Sequence, residues 1–170
     1  MVIRRFPDPG QDAGHRVRHR RRRSVAAVSA TPRRVLGVAP AVRFVGQASD
    51  DEVDAWYRAC DVFVLASRES GAGGGAEGYG IVFVEANLRG KPVVGGRSGG
   101  IPDAVIDGET GLLVDPTDPA DIAEAITRLL SEPDLAERLG RGGRRRAVEE
   151  LSWPEYTERF GRVLAEAAAG

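Results

Sequence analysis

Residues 61–67 read DVFVLAS and residues 77–95 read EGYGIVFVEANLRGKPVVG. The first is a short apolar run of strand length. The second opens on a turn spaced by Gly78 and Gly80, continues as an apolar helix over 80–89, stops at Gly90 and restarts as a strand over 92–95. Strand, glycine-spaced loop, helix and strand in that order are the repeating unit of a parallel α/β sheet.

Working outward, the same reading predicts a strand over 42–45, a helix over 50–59, a strand over 61–66 and a strand over 112–114. Helices follow over 119–131, 133–150 and 154–168. Asp118 and Pro119 start the first of these, because Asp caps a helix and Pro suits its first turn. Ile122, Ala125, Ile126, Leu129 and Leu130 give it a buried stripe. The single cysteine, Cys60, has no internal disulfide partner and is expected to pack at a helix end just before a strand.

The chemical interest lies between Glu77 and Glu85. A helix starting near Gly80 aims unpaired backbone N–H groups at whatever precedes it, which suits an anion such as a diphosphate, and glycine lets the ligand come close. Glu85 stands among Ile81, Val82, Phe83, Val84 and Ala86. A carboxylate there is costly unless donors satisfy it, as the two hydroxyls of a ribose can. Two glutamates eight apart also occur on ordinary amphipathic helices; here the strand before them and the strand after set them at a loop-to-helix corner.

From Val42 to Ala169 the chain resembles the C-terminal half of family 4 (group 1) glycosyltransferases of the GT-B fold, and is similar to their mannosyltransferase-type members. The resemblance rests on Arg43-Phe44-Val45-Gly46, Asp61 to Ser67, Glu77-Gly78-Tyr79-Gly80 to Glu85, Ser98-Gly99-Gly100-Ile101-Pro102-Asp103 and Gly108-Glu109-Thr110-Gly111-Leu112-Leu113-Val114, all in order. It implies a Rossmann-like parallel sheet flanked by helices, incomplete at its N-terminal side. It also implies retaining transfer of a hexosyl group from a UDP- or GDP-sugar without a cofactor; because no two aspartates stand two apart to hold a metal, a metal-free donor site is expected. In the roles it implies, Glu77 is the catalytic-side carboxylate on the donor sugar, Gly78, Tyr79 and Gly80 contact sugar and phosphate, Glu85 holds the ribose, and Gly99 and Gly100 flank the cleft.

The chain departs from the family pattern in two respects. No segment matches the N-terminal Rossmann-like domain, which forms the acceptor side of the cleft, or the first strands of the C-terminal domain. The Arg and Lys that follow the first of those strands and neutralise the donor diphosphate also lack counterparts: Lys91, the only lysine, begins a strand elsewhere, and Arg33 and Arg34 precede no matching motif. The expectation is a fragment inactive alone that awaits a missing N-terminal domain or a partner chain. A non-catalytic nucleotide-sugar-binding module, or a basic-armed nucleic-acid-binding protein, is the competing class.

Charge divides the chain near residue 34. Residues 1–34 hold ten arginines against Asp8 and Asp12, whereas residues 35–170 hold 14 basic and 23 acidic side chains, so the overall −1 conceals a cationic arm. With Pro7 and Pro9 as breakers, Arg20 to Arg23 in a block and no sustained apolar period, the arm is expected to be disordered or non-native, such as an out-of-frame extension. The strand over 42–45 would then lack neighbours, with Ser24 to Val28 or Val35 to Val38 as poor substitutes. Only Phe6 interleaves aromatic character with the basic run, so a stacking platform for single strands is absent. Attraction of the arm to an anionic membrane surface stays open as a peripheral contact.

Gly71-Ala72-Gly73-Gly74-Gly75-Ala76 satisfies the dinucleotide pattern G-x-G-x-x-A, but it stands too far from both the preceding strand and the following helix for the tight turn that pattern needs. His15 and His19 lack a third ligand other than Asp12, which argues against zinc. No apolar run follows the early arginines as in a secretory signal, and none reaches bilayer length, so a cytoplasmic chain is expected.

Overall fold

A computed structural model describes residues 2–4, 16–20, 42–68 and 78–169. Its elements are β1 (Val2–Arg4), β2 (Arg16–Arg20), β3 (Val42–Gly46), α1 (Asp50–Ala59), β4 (Val62–Leu65), α2 (Ile81–Leu88), β5 (Val93–Gly96), α3 (Ile101–Ala104), β6 (Leu112–Val114), α4 (Pro119–Ser131), α5 (Pro133–Glu149) and α6 (Trp153–Ala169). The strands form one sheet in the order β3-β2-β1-β4-β5-β6. From β4 to β6 the pairing is parallel, Phe63 opposite Val93 and Val94 opposite Leu112, as the sequence leads one to expect.

Two segments of the basic arm depart from the expected disorder and stand in the sheet: β1 pairs antiparallel with β4 through Val2–Phe63 and Ile3–Val62, and β2 joins β1 to β3. The physical reason is the open edge of β4, whose backbone groups need partners, together with an apolar hole filled by Ile3, only 2% exposed. The strand at 42–46 therefore has a neighbour, and one strand of the sheet, β1, runs against the others. The segments 24–28 and 35–38 considered as substitutes lie outside the described residues.

Side chains alternate across β4 to β6 with period two. Val62, Val64, Val94 and Val114 face α4 and α5, meeting Ala125, Leu129, Leu130, Leu135 and Leu139; Ile3 joins them from β1. Phe63 and Val93 face the other way, toward Tyr57, Phe83, Ala86, Ile101, Ala104 and Val105. Gly95 is on this second face because a Cβ there would come within 2.7 Å of Ile101 Cγ2.

Local chemistry sets the helix boundaries. Ser49 and Glu52 form a capping box at α1, with Ser49 N donating to Glu52 Oε2 at 2.9 Å. Asp118 Oδ1 accepts from Ala120 N at 2.8 Å with Pro119 in the first turn of α4. The short α3, which the sequence reading omits, begins at Ile101 with Pro102 in its first turn.

α5 crosses the amino ends of β5 and β6 and contacts both faces. Backbone passes close at Gly140, where an added Cβ would strike the Gly90 carbonyl, and at Gly143, where it would strike the Asn87 amide. The Asn87 Nδ2 group donates to the carbonyls of Lys91 (3.0 Å) and Thr110 (3.2 Å), which ties α2 to the loops before β5 and β6. Arg146 donates to the carbonyls of Ala104 (2.7 Å) and Asp103 (2.8 Å). Beyond it, α6 leaves Trp153, Tyr156, Phe160, Val163 and Leu164 exposed. Among the described residues no helix is long and apolar enough to cross a membrane.

Candidate functional site

The carboxyl ends of parallel strands in an open α/β sheet form a crevice where ligands bind. Here that end carries Ala66 to Arg68 after β4, Arg97 to Gly100 after β5 and Asp115 to Asp118 after β6. The start of α2 faces the same end.

Gly80 is the N-cap of α2 in a left-handed conformation (φ 76°, ψ 49°), a geometry that a side chain would strain, and no side chain caps the helix. Among the eight helical residues the first amides therefore stay available in front of Gly80. Gly99 also has positive φ (57°), and it turns the chain so that Gly100 lies against the Gly78 carbonyl, where an added Cβ would overlap the oxygen. Two backbone segments, at Gly78 and Gly100, 22 residues apart in sequence, are thus in direct apposition, which only glycine permits at Gly100. Tyr79, next to Gly78, is exposed.

Glu85 is one turn into α2 and half-buried. Its Oε2 accepts the Tyr57 hydroxyl at 2.9 Å. The sequence leaves Glu85 in need of donors; the structure supplies one from α1, 28 residues away, and no donor among the described residues reaches Oε1. Tyr57 is in turn fixed by the Phe63 ring, at 5.5 Å between centroids, and by the Arg89 guanidinium 5.7 Å from its ring centre. Arg89 NH1 also donates to the Glu85 carbonyl at 3.0 Å. No spacing rule in the sequence singles out Tyr57; its one signal is an aromatic on the apolar side of an amphipathic helix.

The structure thus brings Gly78, Tyr79, Gly80, Gly99 and Gly100 to one corner with Glu85 below it. Glu77 and the glycine stretch 71–76 lie outside the described residues. On the rim, Arg97 donates to Asp107 Oδ2 at 2.8 Å and Leu113 N donates to Asp107 Oδ1 at 2.9 Å. Burial pushes the Asp107 carboxyl up, but the Leu113 amide and the Arg97 guanidinium outweigh it and hold the group below its ordinary value. Cys60 is as expected: it is 1% exposed, its Sγ donates to the Tyr57 carbonyl at 3.3 Å, and burial pushes the thiol up to about 11.

A Rossmann-like parallel sheet, helices on both faces and a glycine-lined crevice at the carboxyl ends define half of a GT-B architecture. The chain belongs to the group 1 glycosyl transferases, whose family model matches residues 33–146. It is 42% identical over 130 residues to the GDP-mannose-dependent alpha-(1-6)-phosphatidylinositol monomannoside mannosyltransferase of Mycolicibacterium smegmatis, a match covering 76% of this chain and 34% of the relative. The chain spans about a third of the length of the curated relatives it matches.

Among solved structures, sucrose-phosphate synthase from Thermosynechococcus elongatus superposes with a TM-score of 0.64 at 33% identity, covering 82% of this chain and 35% of that one. The C-terminal domain of a group 1 family glycosyl transferase from Francisella tularensis gives 0.65 at 25% identity, covering 76% and 65%.

Proposed function

We propose that the chain is the donor-binding half of a retaining glycosyltransferase that moves a hexosyl group from a UDP- or GDP-sugar to an acceptor. The observation that carries this reading is the corner where the Gly99–Gly100 turn is pressed onto Gly78 beside the uncapped start of α2, with Glu85 below it. A nucleotide diphosphate fits that corner chemically. Amides at Gly80 and beyond would neutralise phosphate charge, and the accessible Glu85 oxygen would accept from ribose hydroxyls. The name of the mycolicibacterial relative, a GDP-mannose-dependent enzyme, supports the same ligand class.

In the transfer step, the bond between the anomeric carbon and the diphosphate oxygen breaks and the sugar gains oxocarbenium character. Negative charge grows on the departing diphosphate. Fixed amide dipoles in front of α2 would be worth more there than in the ground state, which is how such a site accelerates the reaction. Glu77 would stand on the sugar side, and the Gly78 and Tyr79 backbone would contact sugar and phosphate.

Three quarters of this chain matches only a third of its relative, so the acceptor side would come from a further domain or a partner chain, and the 170 residues alone would transfer no sugar. Titration calorimetry with UDP and GDP tests the binding half of the proposal. Glu85→Ala is expected to weaken the preferred nucleotide roughly tenfold, about 1.4 kcal/mol. Equal affinity in the variant would refute the ribose role, and sugar transfer by the purified chain would refute the claim that it is inactive alone.

A further inference from the structure

At the opposite end of α2, where the amino ends of the strands lie, Arg58, Leu88, Arg89, Lys91 and Arg144 line an open basin of about 460 Å³. We propose that this basin binds a phosphate group, as a second anion site separate from the crevice. Four cations converge there from four places: the last turn of α1, the end of α2, the loop before β5 and the middle of α5.

Helix dipoles account for only part of this. Arg58 and Arg89 stand at the carboxyl ends of α1 and α2, where a cation is favourable. Both also lean on one carboxylate: Arg58 Nε is 2.6 Å from Asp54 Oδ2 and Arg89 Nε is 2.7 Å from Asp54 Oδ1. Those two guanidiniums hold the Asp54 carboxyl below its ordinary value. Lys91 and Arg144 occupy no helix end, and among the described residues neither has an anionic partner. Among the described residues Asp54 is the one carboxylate bonded to any of these four cations, and the positive excess in a concave site is what an anion would relieve.

The geometry favours a phosphate over a simple carboxylate. Arg58 and Arg89 are pre-oriented by Asp54, so their planar forks lose little freedom on binding, while Lys91 and Arg144 can close on further oxygens. The volume lies within the range of small-ligand sites. Leu88, 40% exposed, gives the basin one apolar wall. A phospholipid headgroup and a free phosphate ester share this chemistry.

The experiment uses the whole chain, with Lys91 dimethylated by ¹³C-formaldehyde; it is the only lysine, so its side chain gives one NMR signal besides the terminal amine. Sodium phosphate is titrated against sodium chloride at equal ionic strength. In parallel, unmodified protein is floated with vesicles of phosphatidylcholine alone or mixed with phosphatidylinositol. A saturable shift of the Lys91 signal with phosphate, weakened about tenfold in Arg144→Gln, establishes the site for free phosphate. Flotation only with phosphatidylinositol, lost in both Lys91→Gln and Arg144→Gln, assigns it to a lipid headgroup. No saturable shift and no selective flotation, or responses unchanged in these folded surface variants, would overturn the proposal. UDP or GDP binding is expected to be unaffected by both substitutions, so failure of the basin and failure of the crevice are distinguishable.

Discussion

The face of the sheet toward α4 and α5 is filled by Ile3, Val62, Val64, Val94, Val114, Leu129, Leu130 and Leu139, all of them aliphatic. The face toward α1, α2 and α3 is built on Phe63, Phe83 and Tyr57, whose hydroxyl leaves the cluster to meet Glu85. The aliphatic face meets the crevice end at its edge, where the partly buried Ala66 packs against the cluster. The aromatic face shares a residue with the crevice. Stability and ligand geometry are therefore separable on the first face and coupled on the second.

Leu139→Ala tests the aliphatic side. The side chain is fully buried, so truncation is expected to cost about 2–5 kcal/mol in urea unfolding, while nucleotide affinity of the folded protein stays the same. A parallel loss of affinity would erase the distinction between the faces. Gly100→Ala acts at the crevice, where the new methyl meets the Gly78 carbonyl. It is expected to cost about 1–3 kcal/mol in stability and to weaken UDP or GDP binding more than Leu139→Ala does.

Tyr57→Phe sharpens the comparison on the coupled face, because it keeps the ring contacts and removes one hydrogen bond. Calorimetry and chemical unfolding are expected to show losses of about 1 kcal/mol or less in each of affinity and stability. The smallest effect is at the rim. Asp107 has a lowered folded-state pKa, so its contribution is present above the ordinary carboxylate value and fades as pH falls through the folded value. Unfolding midpoints followed from pH 6 down to about pH 3 are expected to fall slightly less steeply in Asp107→Asn; the ion pair is half exposed and worth at most about 0.5 kcal/mol.

From residue 42 onward the fold was legible, the four-residue α3 apart, because each other element carries its own signal. The strand at 62–65 is a bounded apolar run, α4 has Asp118, Pro119 and a stripe, and α2 follows two glycines. The arm was not legible, because β1 and β2 are strands by virtue of what lies beside them. Val2–Arg4 is three residues long and Arg16–Arg20 has one apolar side chain, so neither shows a period; the open edge of β4 decides. At the site, Gly80 and Glu85 could be read from the loop-to-helix corner. Tyr57 and the contact of Gly100 with Gly78 could not, since both depend on tertiary distances between segments that carry no local mark.

Cys60 packs where α1 hands over to β4, directly beneath the Tyr57 that supports Glu85. Its raised pKa and burial leave the native thiol almost unreactive, so an alkylating reagent can modify it only after that junction has opened and the thiol has returned to ordinary acidity. With a single cysteine in the chain, every label reports opening at this one junction. The labelling rate is then a clock for the α1–β4 hinge, and a nucleotide that tightens the Tyr57–Glu85 contact would slow it even though the ligand never touches sulfur.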